Sequence, residues 1–184
     1  MARTFLIADT HFGHANIIAY ENRPFADAAE MDAALLENWN RVVGRDDLVL
    51  MLGDFALAPA RRVTELLAAL HGRKSLIMGN HDRGHAPEWW RKAGFDWVSP
   101  YPIVFEEMLL LSHEPLYVNE NMPYVNIFGH VHGNPAYKDV SGQHMCVSCE
   151  RIGYTPIPLE DVRAAVTAAR GVVVEAEEQA SEQS

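Results

Sequence analysis

Five apolar segments of this 184-residue chain each run straight into a short group of Asp, Asn or His. Residues 6–8 lead into Asp9-Thr10-His11, and residues 49–52 into Gly53-Asp54. Residues 76–78 lead into Gly79-Asn80-His81-Asp82, residues 109–111 into Ser112-His113, and residues 126–128 into Gly129-His130-Val131-His132. In an open α/β sheet, ligands sit beyond the carboxyl ends of the strands. Five polar strand ends can therefore converge on one site. Helical patterns between the strands support the α/β reading. One helix begins near Asp27, a good N-cap, and carries Met31, Leu35, Trp39 and Val42 on one stripe. A second starts near Pro59, buries Val63, Leu66, Leu67 and Leu70, and stops at Gly72. A short one spans residues 87–94, with Trp89 and Trp90 expected to pack it, and a last follows Pro158. Residues 101–105 and 108–111 read as a hairpin, so the strands are not all parallel.

Singly, these groups are weak signals. An Asp-x-His is usually a cap beside a surface histidine, and Gly-Asp after a strand is usually a turn. Gly-Asn-His-Asp and Gly-His-x-His are more specific, and the ordered conjunction is the strong observation. On an extended backbone Asp9 and His11 point to one side, as do His130 and His132. Gly precedes Asp54, Asn80 and His130, which allows close backbone approach. Imidazoles mixed with carboxylates and an amide oxygen suit manganese, iron, zinc or another borderline divalent ion better than calcium.

The ordered set D-x-H, G-D, G-N-H-[DE], H and G-H-x-H resembles the calcineurin-like metallophosphoesterase superfamily. The fragments Asp9-Thr10-His11-Phe12-Gly13-His14, Asn22-Arg23-Pro24-Phe25 and Asn38-Trp39-Asn40 are similar to a compact bacterial and phage branch of predicted phosphoesterases. The resemblance implies an α/β fold, a four-layer αββα sandwich of two mixed β-sheets flanked by helices. The length leaves room for a single domain, residues 1–170, without a cap domain; the resemblance implies two divalent metal ions, Mn²⁺ foremost with Fe, Zn or Ni as alternatives. Asp9, His11, Asp54 and His132 would hold the first ion. Asp54, Asn80, His113 and His130 would hold the second, with Asp54 bridging. His81 would be the general acid and Asp82 its orienting partner. Hydroxide formed between the metals would attack phosphorus in line. His14, Asn16, Arg23 and Arg83 are candidate substrate contacts, Arg23 on the resemblance alone. A phosphodiester is preferred over a phosphomonoester. Alternatives are a nucleotide pyrophosphatase or phosphomonoesterase of the same superfamily, a nucleotide-binding regulator, or a non-catalytic interaction module, for which the intact ligand set is a poor match. The run from Gly53 to Pro59 lacks the G-D-x-x-D/N-R-G block of the protein phosphatase branch.

Composition limits partners. There are 25 Asp and Glu against 15 Lys and Arg, a formal charge of −10. Stable binding to long nucleic acid needs clustered basic residues, and docking on anionic membranes needs the same. Neither is expected; the partner expected is a small phosphate ester or nucleotide. Four of the excess acids, Glu175, Glu177, Glu178 and Glu182, lie in residues 171–184, which read as an acidic flexible tail. Two divalent ions would further offset the body's charge. Five of the nine histidines fall in the motif. Cys146 and Cys149 form a C-x-x-C in a strand-like stretch, which is read as a pair of ordinary reduced thiols rather than a redox or zinc site. No apolar run reaches the ~18 residues of a membrane span, and the first residues lack a signal-peptide core. The expectation is a cytoplasmic protein. Oligomeric state is left open.

Overall fold

The computed structural model describes residues 2–106 and 108–182. The first sheet contains β1 (Thr4–Ile7), β2 (Leu48–Met51), β3 (Arg73–Ile77), β4 (Trp97–Ser99) and β9 (Ile157–Pro158), in the order β4-β3-β2-β1-β9. Its first four strands run parallel, and β9 pairs antiparallel with β1. The second sheet contains β5 (Ile103–Phe105), β6 (Leu109–Leu111), β7 (Val125–Phe128) and β8 (His144–Cys146) in sequential order. Here β5 and β6 form the expected hairpin, while β6, β7 and β8 are parallel. The helices are α1 (Ala15–Tyr20), α2 (Ala28–Val42), α3 (Ala60–Ala69), α4 (Pro87–Ala93) and α5 (Leu159–Glu182). The architecture is the expected α/β one, two mixed sheets flanked by helices.

Period-two alternation divides the core. Phe5, Ile7, Val49, Met51, Leu76 and Met78 pack with Met31, Leu35 and Trp39 of α2 and with Val63, Leu66 and Leu67 of α3. Their sequence neighbours Leu6, Ala8, Leu50, Leu52 and Ile77 face Leu109, Leu111 and Ile127 of the second sheet, joined by Leu159, Val162 and Val166 of α5. The first sheet is thus covered on both faces, which is why its strands read as continuous apolar runs.

Asp27 caps α2, its Oδ1 accepting from the N–H groups of Ala29 and Glu30, both at 2.9 Å. Gly72, at φ +81°, carries the chain out of α3. Residues 171–182, expected to leave the body as a tail, continue α5 to Glu182. Their Ala, Glu and Gln content favours helix. Residues 183 and 184, which complete the expected tail of 171–184, lie outside the described residues. No helix among the described residues is long and apolar enough to cross a membrane.

Candidate metal centre

The strand ends are joined before any ligand is considered. Asp9 N–H donates to Gly53 O (3.0 Å), His11 N–H to Asp54 O (3.0 Å) and Phe12 N–H to Phe55 O (2.9 Å). The turn after β1 is therefore zipped to the turn after β2. Glycine is required here by space. A Cβ on Gly53 would lie 2.3 Å from His113 Nδ1, one on Gly79 would lie 2.2 Å from Asp54 Oδ1, and one on Gly129 would lie 2.5 Å from Asp9 Oδ2. The three glycines ahead of Asp54, Asn80 and His130 are what let these loops close on one another.

The two central carboxylates are each fixed by one oxygen. Asp9 Oδ2 accepts from His130 N–H (2.9 Å) and Asp54 Oδ1 from His81 N–H (3.0 Å). Their other oxygens face imidazoles. Asp54 Oδ2 lies 3.5 Å from His11 Nε2, 3.5 Å from His113 Nε2 and 3.9 Å from His81 Nε2. Asp9 Oδ1 lies 3.8 Å from His132 Nε2 and 4.0 Å from His113 Nδ1. Asn80 Oδ1 is 3.0 Å from His113 Nε2 and 3.1 Å from His130 Nδ1.

Two of the rings have one nitrogen committed elsewhere. His113 Nδ1 lies 2.9 Å from Leu52 O, and since a carbonyl can only accept, the ring donates there. His132 Nδ1 donates likewise to Glu150 Oε1 at 3.0 Å. Each keeps its Nε2 for the centre, the arrangement in which a neighbour fixes the tautomer of a ligating histidine.

Asp9 Oδ1 and His11 Nε2 are buried with no hydrogen-bond partner among the described residues. Leaving such groups unmet costs about 1–3 kcal/mol each. Two ligands of one ion, each about 2.1 Å from it, stand roughly 3–3.5 Å apart, close to the 3.5 Å spacings around Asp54 Oδ2. The donor set fits divalent cations on both counts.

Burial lowers His11 to about 2, so its ring stays neutral and open to a cation. Burial also pushes His113 down, but the Asp54 and Asp9 carboxylates outweigh it and hold that ring at about 9, a proton that a cation at Nε2 would displace. For Asp54 the burial penalty is overcome chiefly by His113, which leaves its carboxyl at about 2.

Residues 2–143 match the family described as calcineurin-like phosphoesterase. This chain belongs to that family. A protein of Methanocaldococcus jannaschii, MJ1445, described as uncharacterized, is 35% identical over 169 residues, covering 87% of this chain and 89% of that one. The Gene 66 protein of Mycobacterium phage L5 is 34% identical over 111 residues, covering 59% of this chain and 52% of the phage protein. The crystal structure of AQ665 from Aquifex aeolicus, a protein of unknown function, superposes with a TM-score of 0.68 at 27% identity, covering 89% of this chain and 99% of that one.

Within this calcineurin-like chain, Asp9, His11, Asp54, Asn80, His113, His130 and His132 come together at one end of both sheets. They grade from buried Asp9, His11, Asp54 and His113 to exposed Asn80 and His130. His81 joins them at the exposed mouth. His14 does too, its Nδ1 3.2 Å from His11 Nδ1 and its ring 5.9 Å from that of His81. Asn16 sits exposed on α1, and Arg83 is exposed and paired with Glu114 at 2.9 Å.

Three expectations require correction. Asp82 does not orient His81: its carboxylate accepts from the N–H groups of Asp54 (2.7 Å), Gly79 (2.8 Å) and Phe55 (3.1 Å), which clamps two strand-end loops. Burial raises that carboxyl to about 7 against the pull of those three donors. Arg23 is not a substrate contact. Its side chain is fully buried, donating to Asp9 O (2.7 Å) and Thr10 O (3.0 Å) and pairing with Glu150 (2.7 Å). The third concerns the x-spaced pairs. Asp9, His11, Asp54, His130 and His132 all adopt left-handed φ between 45° and 69°, so these pairs converge through kinks rather than along an extended chain.

Glu150 and Arg151 were missed. Glu150 holds His132, while Arg151 donates to His132 O (2.5 Å), Asn134 O (2.8 Å) and Tyr137 O (3.1 Å) and so pins the loop beyond the last ligand. Their signal was a sixth polar strand end, the one after β8. The two cysteines are free and buried in separate parts of the core. Burial raises both thiols, in keeping with inert reduced cysteines.

Proposed function

We propose that this chain is a dinuclear metal-dependent phosphodiesterase. The observation that carries the reading is the convergence of Asp9 Oδ1, Asp54 Oδ2 and the Nε2 atoms of His11, His113 and His132, two of those atoms being buried without partners. One ion would be held by Asp9, His11, Asp54 and His132, the other by Asp54, Asn80, His113 and His130. When bound, such a pair supplies Lewis-acid neutralisation of phosphate oxygens and a water acidic enough to act at neutral pH. Manganese suits the mixed imidazole and oxygen donors, with iron, zinc or nickel as alternatives.

The chain's own residues do the rest. Glu150 and Leu52 O hold two imidazoles in the tautomer that presents Nε2. Asp82 and Arg23 keep the loops in register. His81, exposed and with its N–H committed to Asp54 only through the backbone, is free to give its ring proton to the departing oxygen. His14 stands beside it as a second polar contact.

Support for a diester comes from the surroundings. Two cavities adjoin the centre, one of about 540 Å³ lined by His130, His132, Tyr20 and Tyr137, and a cleft of about 380 Å³ lined by His81. A diester has two substituents to place. A small phosphate ester or nucleotide as substrate, without stable nucleic-acid binding, accords with the acidic balance. The buried free thiols and the lack of a membrane-length helix among the described residues accord with a cytoplasmic setting.

The test is hydrolysis of bis-p-nitrophenyl phosphate and p-nitrophenyl phosphate by metal-loaded protein. Faster turnover of the diester is expected, and loss of both activities with Mn²⁺, Ni²⁺ and Zn²⁺ alike would overturn the reading. His81→Ala should keep its metal by elemental analysis while kcat falls by roughly 10²–10⁴.

A further inference from the structure

The cleft beside His81 has a chemistry of its own. It is lined by Leu57 and Pro59, from the turn after β2, and by His85 and Trp89. No Asp, Glu, Lys or Arg lines it. His85 is exposed and already stacked on Trp89, ring centroids 3.9 Å apart and planes 10° from parallel. Behind them Trp90 meets Trp89 edge-on at 4.8 Å. Its indole N–H donates to Asp82 O (3.0 Å), which ties α4 to the loop that carries His81. Leu57 remains 39% exposed. An apolar, uncharged recess with a preformed ring stack thus opens directly beside the candidate general acid.

Two features say what fits there. No Lys or Arg lines the cleft to hold a phosphate, and His81, its one proton donor in the proposed reaction, serves the departing oxygen, so the rest of the cleft takes an uncharged part of the substrate. The position of His81 says which part: a general acid stands beside the oxygen that departs, so the group within reach is the one released. We propose that this cleft receives the leaving group of the phosphodiester as an uncharged alcohol bearing a planar ring, with a nucleoside as the type, and that Trp89 and His85 select for it. The proposal rests on the phosphodiesterase reading. Hydrolysis breaks the bond between phosphorus and the leaving oxygen, water supplies the new P–O bond, and the proton passed to the oxygen releases a neutral alcohol.

Two diesters with the same retained nucleoside test it. One releases a nucleoside through its 5′-hydroxyl (a dinucleoside monophosphate), and the other releases methanol (the nucleoside methyl phosphate). With Mn²⁺-loaded protein, kcat/KM should favour the first by roughly tenfold or more, the scale of one base stacked on an aromatic ring. Trp89→Ala should reduce that ratio to within about threefold, and Trp89→Phe should retain most of it. The ratio is taken within one protein, so partial loss of folded material cancels. A wild-type ratio near one, or a ratio that Trp89→Ala leaves untouched, overturns the proposal.

A second readout is independent of turnover. Adenosine titrated into the protein should shift the Trp89 indole N–H resonance saturably, the signal being assigned by its loss in Trp89→Phe. No shift at millimolar adenosine also overturns the proposal. A saturable shift without hydrolysis of either diester supports the cleft and overturns the phosphodiesterase reading instead.

Discussion

Glu150 does for His132 what a backbone carbonyl does for His113, and it does so while paired with buried Arg23. Removing its charge loosens a candidate ligand without removing one. Glu150→Gln should therefore weaken Mn²⁺ binding by roughly 10–100-fold in a metal titration, the usual effect of losing such a partner. Asp82 makes the contrasting case. Asp82→Ala leaves three buried backbone N–H groups unmet and should cost on the order of 3–5 kcal/mol in urea unfolding. Its effect should fall on stability, where an orienting residue would change turnover. These two residues also mark the limit of what the chain reveals before folding. The candidate ligands were legible because each has a chemistry that a strand end does not otherwise need. Asp82 was misread because adjacency to His81 implies nothing about contact, and its partners Asp54 and Phe55 lie 28 and 27 residues away. Arg23 and Glu150 are 127 residues apart, a pairing no local pattern encodes.

Among the elements, the strands of the first sheet were readable because both of their faces are buried. Helix α2 was readable because Asp27 caps it and its stripe repeats. Helix α1 was not: it has six residues, no side-chain cap and one buried side chain, Ile17. Strand β9 has only two residues and is defined by its pairing with β1. The start of the first sheet carries a measurable pH dependence. Asp47, just before β2, accepts from Arg3 N–H at 2.7 Å and Gly44 N–H at 2.8 Å, and these donors hold its carboxyl below the ordinary 3.8. A value depressed by folding means a contribution that is whole above about pH 4 and lost as pH falls through the folded value. Asp47→Ala should thus destabilise by roughly 1–3 kcal/mol at pH 7, and the gap to wild type should shrink in unfolding curves taken below pH 4.

For the whole molecule, the centre is a seam. Asp9, His11, Asp54 and Asn80 follow strands of the first sheet, and His113, His130 and His132 follow strands of the second. A cation held by both sets adds a link between two sheets already joined by apolar packing and by hydrogen bonds such as His130 N–H to Asp9 Oδ2 and His113 Nδ1–H to Leu52 O. Binding only to the folded form stabilises by about 2.7 kcal/mol at a hundred times Kd. For a chain of this length that raises Tm by roughly 5–11 °C, and calorimetry with Mn²⁺ against a chelator should find it. Absence of any shift would mean that the seam does not load. The left-handed backbone at Asp9, His11, Asp54, His130 and His132 adds a consequence for how such a chain would decay. Each non-glycine residue there holds a conformation that costs roughly 1–3 kcal/mol, which glycine would adopt without penalty. A descendant released from selection for chemistry would relieve that strain with glycine most cheaply at exposed His130, whereas at Asp9 and Asp54 the exchange would leave the N–H groups of His130 and His81 unmet. His130 therefore serves as a gauge, readable in a relative's sequence, of whether this fold is still kept for what its candidate ligands do.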